Sequence, residues 1–174
     1  MGSNKRAKHF YFGYQTESID QIWVHPSYNN QTYPYDIALL RLKDVQELER
    51  NEVWPVCLPD KEVDSYAGTR AIVVGWGWLS AETQQKPKIL QELQGTVLSK
   101  DNFQQQYNQC YGIEIDGPKI CFRGDHGGSS CNGDSGGGMY SEENNQRQLI
   151  GVCSFGLDDC HNCPTVYTKE QISF

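Results

Sequence analysis

The chain has 174 residues, 37% hydrophobic and 21% charged, enough apolar material for one core of ordinary size or a tight pair of small ones. Fifteen basic residues stand against 22 acidic ones, a formal charge of −7, so the basic field that a nucleic-acid backbone requires is missing. The longest apolar stretch, residues 71–79, is far shorter than the roughly 20 residues that span a bilayer, which excludes a transmembrane helix.

Seventeen glycines and seven prolines describe a turn-rich chain of short strands, and the expected class is all-β. Seven cysteines lack the paired C-x-x-C spacing of a structural zinc site, only Cys160 and Cys163 coming close, and fit disulfides and secretion better. The opening Met-Gly-Ser-Asn-Lys-Arg-Ala-Lys is basic and is followed by no apolar h-region, so these residues are expected to carry no signal peptide. Arg6 at the sixth position also departs from the myristoylation pattern.

In chain order, residues 9–14 and 19–24 read as strands, each stopped by turn formers. Residues 29–35 form a polar loop carrying the glycosylation triplet Asn30-Gln31-Thr32. The nearly continuous apolar run at 37–42 predicts a strand buried on both faces, and 43–51 an exposed crossing between two halves. Short strands follow at 71–74, 94–98, 119–121, 148–154 and 165–168. One helix is expected at 101–108, with Asp101 in the capping position.

The stretch richest in chemistry is Cys131-Asn132-Gly133-Asp134-Ser135-Gly136-Gly137-Gly138. Glycines around one serine let the backbone turn tightly and aim amide hydrogens at a single point, as a nucleophilic serine with a developing oxyanion requires. A bare glycine-rich hairpin loop would give the same letters. Three further features weigh against that. Tyr35-Asp36-Ile37-Ala38-Leu39-Leu40-Arg41-Leu42 sets a carboxylate at the head of an apolar strand, where it needs a partner. Val53-Trp54-Pro55-Val56-Cys57-Leu58-Pro59 and Val74-Gly75-Trp76-Gly77 stand between the aspartate and the serine. Gly151-Val152-Cys153-Ser154-Phe155-Gly156 and Pro164-Thr165-Val166-Tyr167-Thr168 follow it.

In this order and spacing the segments resemble the chymotrypsin-like, trypsin-fold serine endopeptidases, from about His9 to Lys169. Asp36 and Ser135 are 99 residues apart, against about 90 in that family. The resemblance implies Ser135 as nucleophile, Asp36 as the carboxylate that orients and charge-stabilises the base, and the amides of Gly133 and Ser135 as the oxyanion hole. It implies that Ser154, Phe155 and Gly156 form the strand along which substrate adds. It puts Ser129 at the base of the specificity pocket, with Gly156 and Thr165 on its walls. A neutral Ser129 disfavours Arg or Lys substrates, and Thr165 in place of glycine favours small or medium apolar ones. Phe155 for the usual tryptophan and Gly138 for the usual proline are departures. No cofactor and no metal are implied, and the partners are a polypeptide substrate or protein inhibitor. A calcium- or zinc-binding domain has no ligand set in the sequence.

The family's general-base histidine lies about 45 residues before the aspartate, ahead of the first residue here. None of His9, His25, His126 and His161 has the family's Ala-Ala-His-Cys context. His25 matches a common surface position, His9 reads as strand-edge filler, and His126 and His161 flank the pocket in loops. Asp134, which in the family pairs with an amine freed by activation, is expected to lack a partner. The resemblance implies disulfides Cys110–Cys121 and Cys131–Cys160, and Cys57 as a tether to a light chain. Two alternatives stay open for Cys153 and Cys163: a bond to each other, or Cys163 competing with Cys160 for Cys131. The implied architecture is a double barrel: a first-barrel remnant at 1–45, a crossing at 46–62 and a nearly complete second barrel at 63–174 without the C-terminal helix. The expected function is a serine endopeptidase, secreted, with little turnover from this chain alone. The rival reading is a non-catalytic protease homologue acting as a binding or decoy module.

Overall fold

The computed structural model describes residues 18–44, 54–59, 66–112, 117–143, 146–156 and 160–169. The strand expected at 9–14, His9 and most of the crossing at 43–51 lie outside the described residues. β1 (Ile19–Val24) and β2 (Ala38–Leu42) pair antiparallel as a two-stranded sheet, with Trp23 opposite Leu39. The run at 37–42 is not the doubly buried strand its apolarity predicts. β1 is its one strand partner among the described residues, and Ile22 and Leu40 stay 56% and 54% exposed.

Six further strands close a barrel in the order β3-β4-β5-β8-β7-β6. They are β3 (Arg70–Gly75), β4 (Gln91–Val97), β5 (Lys119–Gly124), β6 (Gly138–Glu143), β7 (Gln146–Phe155) and β8 (Thr165–Lys169). Alternation along β3 turns Ala71 and Val73 inward and leaves Arg70 outside. Phe122, Met139, Ile150 and Tyr167 complete the interior, and each is at most 1% exposed. The all-β expectation therefore holds, and β6 is the strand that the sequence reading missed, because its apolar Met139 is set between glycines and acidic residues.

The helix α1 (Lys100–Tyr111) begins earlier than expected. Ser99 is the cap, its side chain accepting from the Asn102 N–H, and Asp101 lies in the first turn, where its charge suits the helix dipole. Phe103 and Tyr107 of α1 pack with Cys121 and Val166 in a second small core outside the barrel wall. This is why β5 is buried on both faces at Cys121 and Phe122.

One expected disulfide is present and one is corrected. Cys131 is joined to Cys160, but Cys110 is joined to Cys163, 53 residues away, and not to Cys121. The Cys121 thiol is taken up by the aromatic cluster under α1 and remains free, as do Cys153 and Cys57. Burial pushes the Cys121 thiol well up and the Cys153 thiol to about 12, and the thiolate is the reactive form. Alkylation of the native protein should therefore modify Cys57, which is exposed, and reach Cys121 and Cys153 only after unfolding. Peptide mapping that found a native Cys110–Cys121 link would overturn this pairing.

Candidate active site

The loop carrying Ser135 is fixed at several points. The Cys131–Cys160 bond ties its start to the segment before β8. The Asp134 N–H donates to the Cys131 carbonyl (3.0 Å) and the Gly137 N–H to the Asp134 carbonyl (2.9 Å). The Gly136 N–H and the Cys153 N–H bind across to Cys153 and Gly137 (2.9 and 2.8 Å), pinning the turn to β7. Gly133 takes φ +101°, a conformation that favours glycine. Ser135 is exposed. Neither its amide nor that of Gly133 has a hydrogen-bond acceptor among the described residues, so both donors remain open to an incoming oxygen.

Asp36 comes from the loop between β1 and β2. Tyr33 and Tyr35, at φ +54° and +49°, bend this loop back over the barrel in a conformation unusual for aromatic residues. Tyr35 stacks on His25 with centroids 4.5 Å apart, and Tyr33 packs on Phe155 at 5.7 Å. The Ser154 hydroxyl then donates to Asp36 Oδ2 at 2.7 Å. Asp36, Ser135 and Ser154 open into one cleft of about 840 Å³, whose other walls include Tyr28, Leu58 and Cys153.

His25 is not the surface residue expected of it. It is 8% exposed, and its Nδ1 accepts from the Ser27 N–H at 3.1 Å. His161 lines a separate cavity with Ser129 and Asp134, and His126 is exposed. Neither these nor His25 line the cleft that holds Ser135.

The residues expected to shape specificity are not gathered in one pocket. Ser129 lines a cavity of about 210 Å³ with Ser130, Cys160 and Tyr167, and its hydroxyl donates to the Ser130 carbonyl. Thr165 is 1% exposed, its hydroxyl accepting from the Ser130 N–H at 3.0 Å. Phe155 belongs to the small core beside α1, and Gly156 is exposed.

Asp134 has partners after all. Its Oδ1 accepts from the Gly77 N–H (2.7 Å) and its Oδ2 from the Cys131 N–H (3.0 Å). The reason lies in Gly75-Trp76-Gly77: a Cβ on either glycine would overlap the Asp134 carboxylate. Two residues without side chains make the space that holds the charge.

A match to the trypsin family covers residues 2–173. The chain belongs to the trypsin family. It is 34% identical over 155 residues to phenoloxidase-activating factor 1 of Holotrichia diomphalia, covering 87% of this chain and 41% of that protein. It is 38% identical over 151 residues to serine proteinase stubble of Drosophila melanogaster, covering 84% of this chain and 19% of that one. It is 36% identical over 145 residues to mannan-binding lectin serine protease 1 of Rattus norvegicus, covering 82% and 20%. The chain thus spans about two fifths of the first relative and about one fifth of the other two.

Within this trypsin-family frame, Lys119 is a residue that sequence reasoning passed over. Its Nζ donates to Ser154 Oγ (3.1 Å) and Thr168 Oγ1 (3.0 Å). Burial lowers its pKa to about 8, against a smaller upward pull from Asp36. The signal available in the sequence was one cation heading an otherwise apolar run, Lys119-Ile120-Cys121-Phe122. A depressed lysine disfavours folding while it is charged. The unfolded chain binds more protons between about pH 8 and the ordinary lysine value, so this group's contribution to stability rises with pH across that window. Lys119→Met should therefore raise Tm at pH 7, and the gain should shrink between pH 8 and 10. An unchanged or lowered Tm at pH 7 would contradict it.

Proposed function

We propose that this chain carries the peptide-hydrolysing chemistry of a serine endopeptidase, with Ser135 as the nucleophile and a polypeptide as substrate. The observation that supports the reading most is the opening of Ser135 and Asp36 into one cleft, beside two amides with no other acceptor among the described residues. Ser135 Oγ gives its proton to a general base as it attacks the carbonyl carbon, the carbonyl oxygen takes the negative charge and turns to the amides of Gly133 and Ser135, and collapse expels the amine, which takes that proton from the base, to leave an acyl-serine that water hydrolyses. Each aimed donor is worth about 2.7–4 kcal/mol of barrier. Asp36, held by Ser154, would orient and charge-stabilise that base were it a histidine, which none of the described histidines supplies in the cleft. The substrate backbone lies along residues 154–156 as an added strand.

The 174 residues alone turn over little, because none of the described histidines lines the cleft. Cys57, exposed and free, is the point at which a light chain attaches. Two disulfides suit an extracellular setting, and no described helix is long and apolar enough to cross a membrane. The absence of a described histidine from the cleft also favours a second reading, a protease homologue that holds a partner there. A serine-directed phosphonate separates the two: adduct formation at Ser135 in the native-source protein supports the endopeptidase. A folded protein that takes no label at Ser135 would favour the partner-holding homologue.

A further inference from the structure

Behind the cleft runs a chain of polar contacts that the serine chemistry leaves unassigned. Lys119, at the head of β5, donates to Ser154 on β7 and to Thr168 on β8, and Ser154 in turn donates to Asp36. An ammonium carries protons to give and no lone pair, whereas a serine hydroxyl has one proton and two lone pairs. While Lys119 is charged, Ser154 can only accept from it, so the single Ser154 proton is committed to Asp36. The ammonium also lies 5.5 Å from the centroid of Phe155, and Tyr33, from the loop that carries Asp36, packs on that ring. The cation is thereby joined to the Asp36 loop twice, once through a hydroxyl and once through an aromatic ring.

We propose that Lys119 is a positioning residue of the candidate active site, which through Ser154 aims the Asp36 carboxylate into the cleft and backs it with a positive charge. The proposal rests on the reading of Asp36 and Ser135 as a catalytic pair and extends it. An apolar side chain would fill the same space without the cost of burying a charge. Two groups on the packed elements act electrostatically on the ammonium. Asp36 raises its pKa, and Cys121, on its own strand, raises it less. Ser154 and Thr168, from β7 and β8, bind it without titrating. As pH rises through about 8 the ammonium becomes an amine, which can accept as well as donate, and the Ser154 hydroxyl is released to turn.

The test is an NMR titration of the Lys119 side-chain nitrogen in the full chain, run beside phosphonate labelling of Ser135 from pH 6 to 10 in the form of the protein found in its native source. The expected midpoint is about 8, against about 10.4 for a free lysine. It should move lower still in Asp36→Asn, where the attraction is lost. Labelling rates should show an inflection near the same pH that disappears in Lys119→Met. Lys119→Arg, charged throughout, should keep labelling without the inflection, which separates charge from packing. A midpoint near 10.4, a midpoint indifferent to Asp36→Asn, or a labelling profile unchanged by Lys119→Met overturns the proposal. Absence of label at every pH, with the Lys119–Asp36 coupling intact, instead sinks the endopeptidase reading and upholds the coupling.

Discussion

In a form of the protein whose cleft holds a general-base histidine and that hydrolyses peptides, Ser135→Ala should lower kcat about 10⁶-fold, as loss of the serine from such a triad does. That is about 8 kcal/mol at 1.36 kcal/mol per decade. The fold should not notice. Ser135 is exposed and its hydroxyl has no hydrogen-bond partner among the described residues, so stability should stay within about 0.5 kcal/mol of the parent. Hydrolysis of a chromogenic peptide and urea unfolding, measured on the same preparation, read the two halves of this expectation. A loss of tenfold or less would remove Ser135 from the nucleophile's role.

The second large effect belongs to a residue with no chemistry of its own. Gly75→Ala puts a methyl group where the Asp134 carboxylate sits. The carboxylate must leave, and with it go the bonds from the Gly77 and Cys131 amides. Hydrogen bonds to a charged group are worth about 1.5–3 kcal/mol each, so the expected cost is about 3–6 kcal/mol of unfolding free energy. If the collision is the cause, adding Asp134→Ala to Gly75→Ala should cost far less than the sum of the two single changes, because the clash needs both side chains. Additive losses would place the damage elsewhere.

Much of the barrel could be read from the chain, because strands with one face inward announce themselves by alternation, as Ala71 and Val73 do. The turn at Ser135 was equally legible, since its glycines answer a local backbone requirement at Gly133. What local pattern could not carry was pairing over distance. Cys110 finds Cys163 because α1 and the segment before β8 meet in space, and no spacing rule expresses that. The apolar run at 37–42 could not tell a buried strand from one paired on a single edge with both faces open. Lys119 escaped notice for the same reason, since its acceptors, Ser154 and Thr168, come from two other strands.

The two disulfides are nested: the ring closed between Cys131 and Cys160 lies wholly inside the one closed between Cys110 and Cys163. Sealing the inner ring first shortens the path that the outer thiols must search from 53 residues to about 24, the difference from the inner separation of 29. Loop-closure entropy then makes the outer bond easier by about 0.7 kcal/mol, roughly a threefold gain in its closing equilibrium. The inner loop, 29 residues against 53, is also the cheaper to close from the open chain, so a chain caught midway should hold the inner bond more often than the outer one.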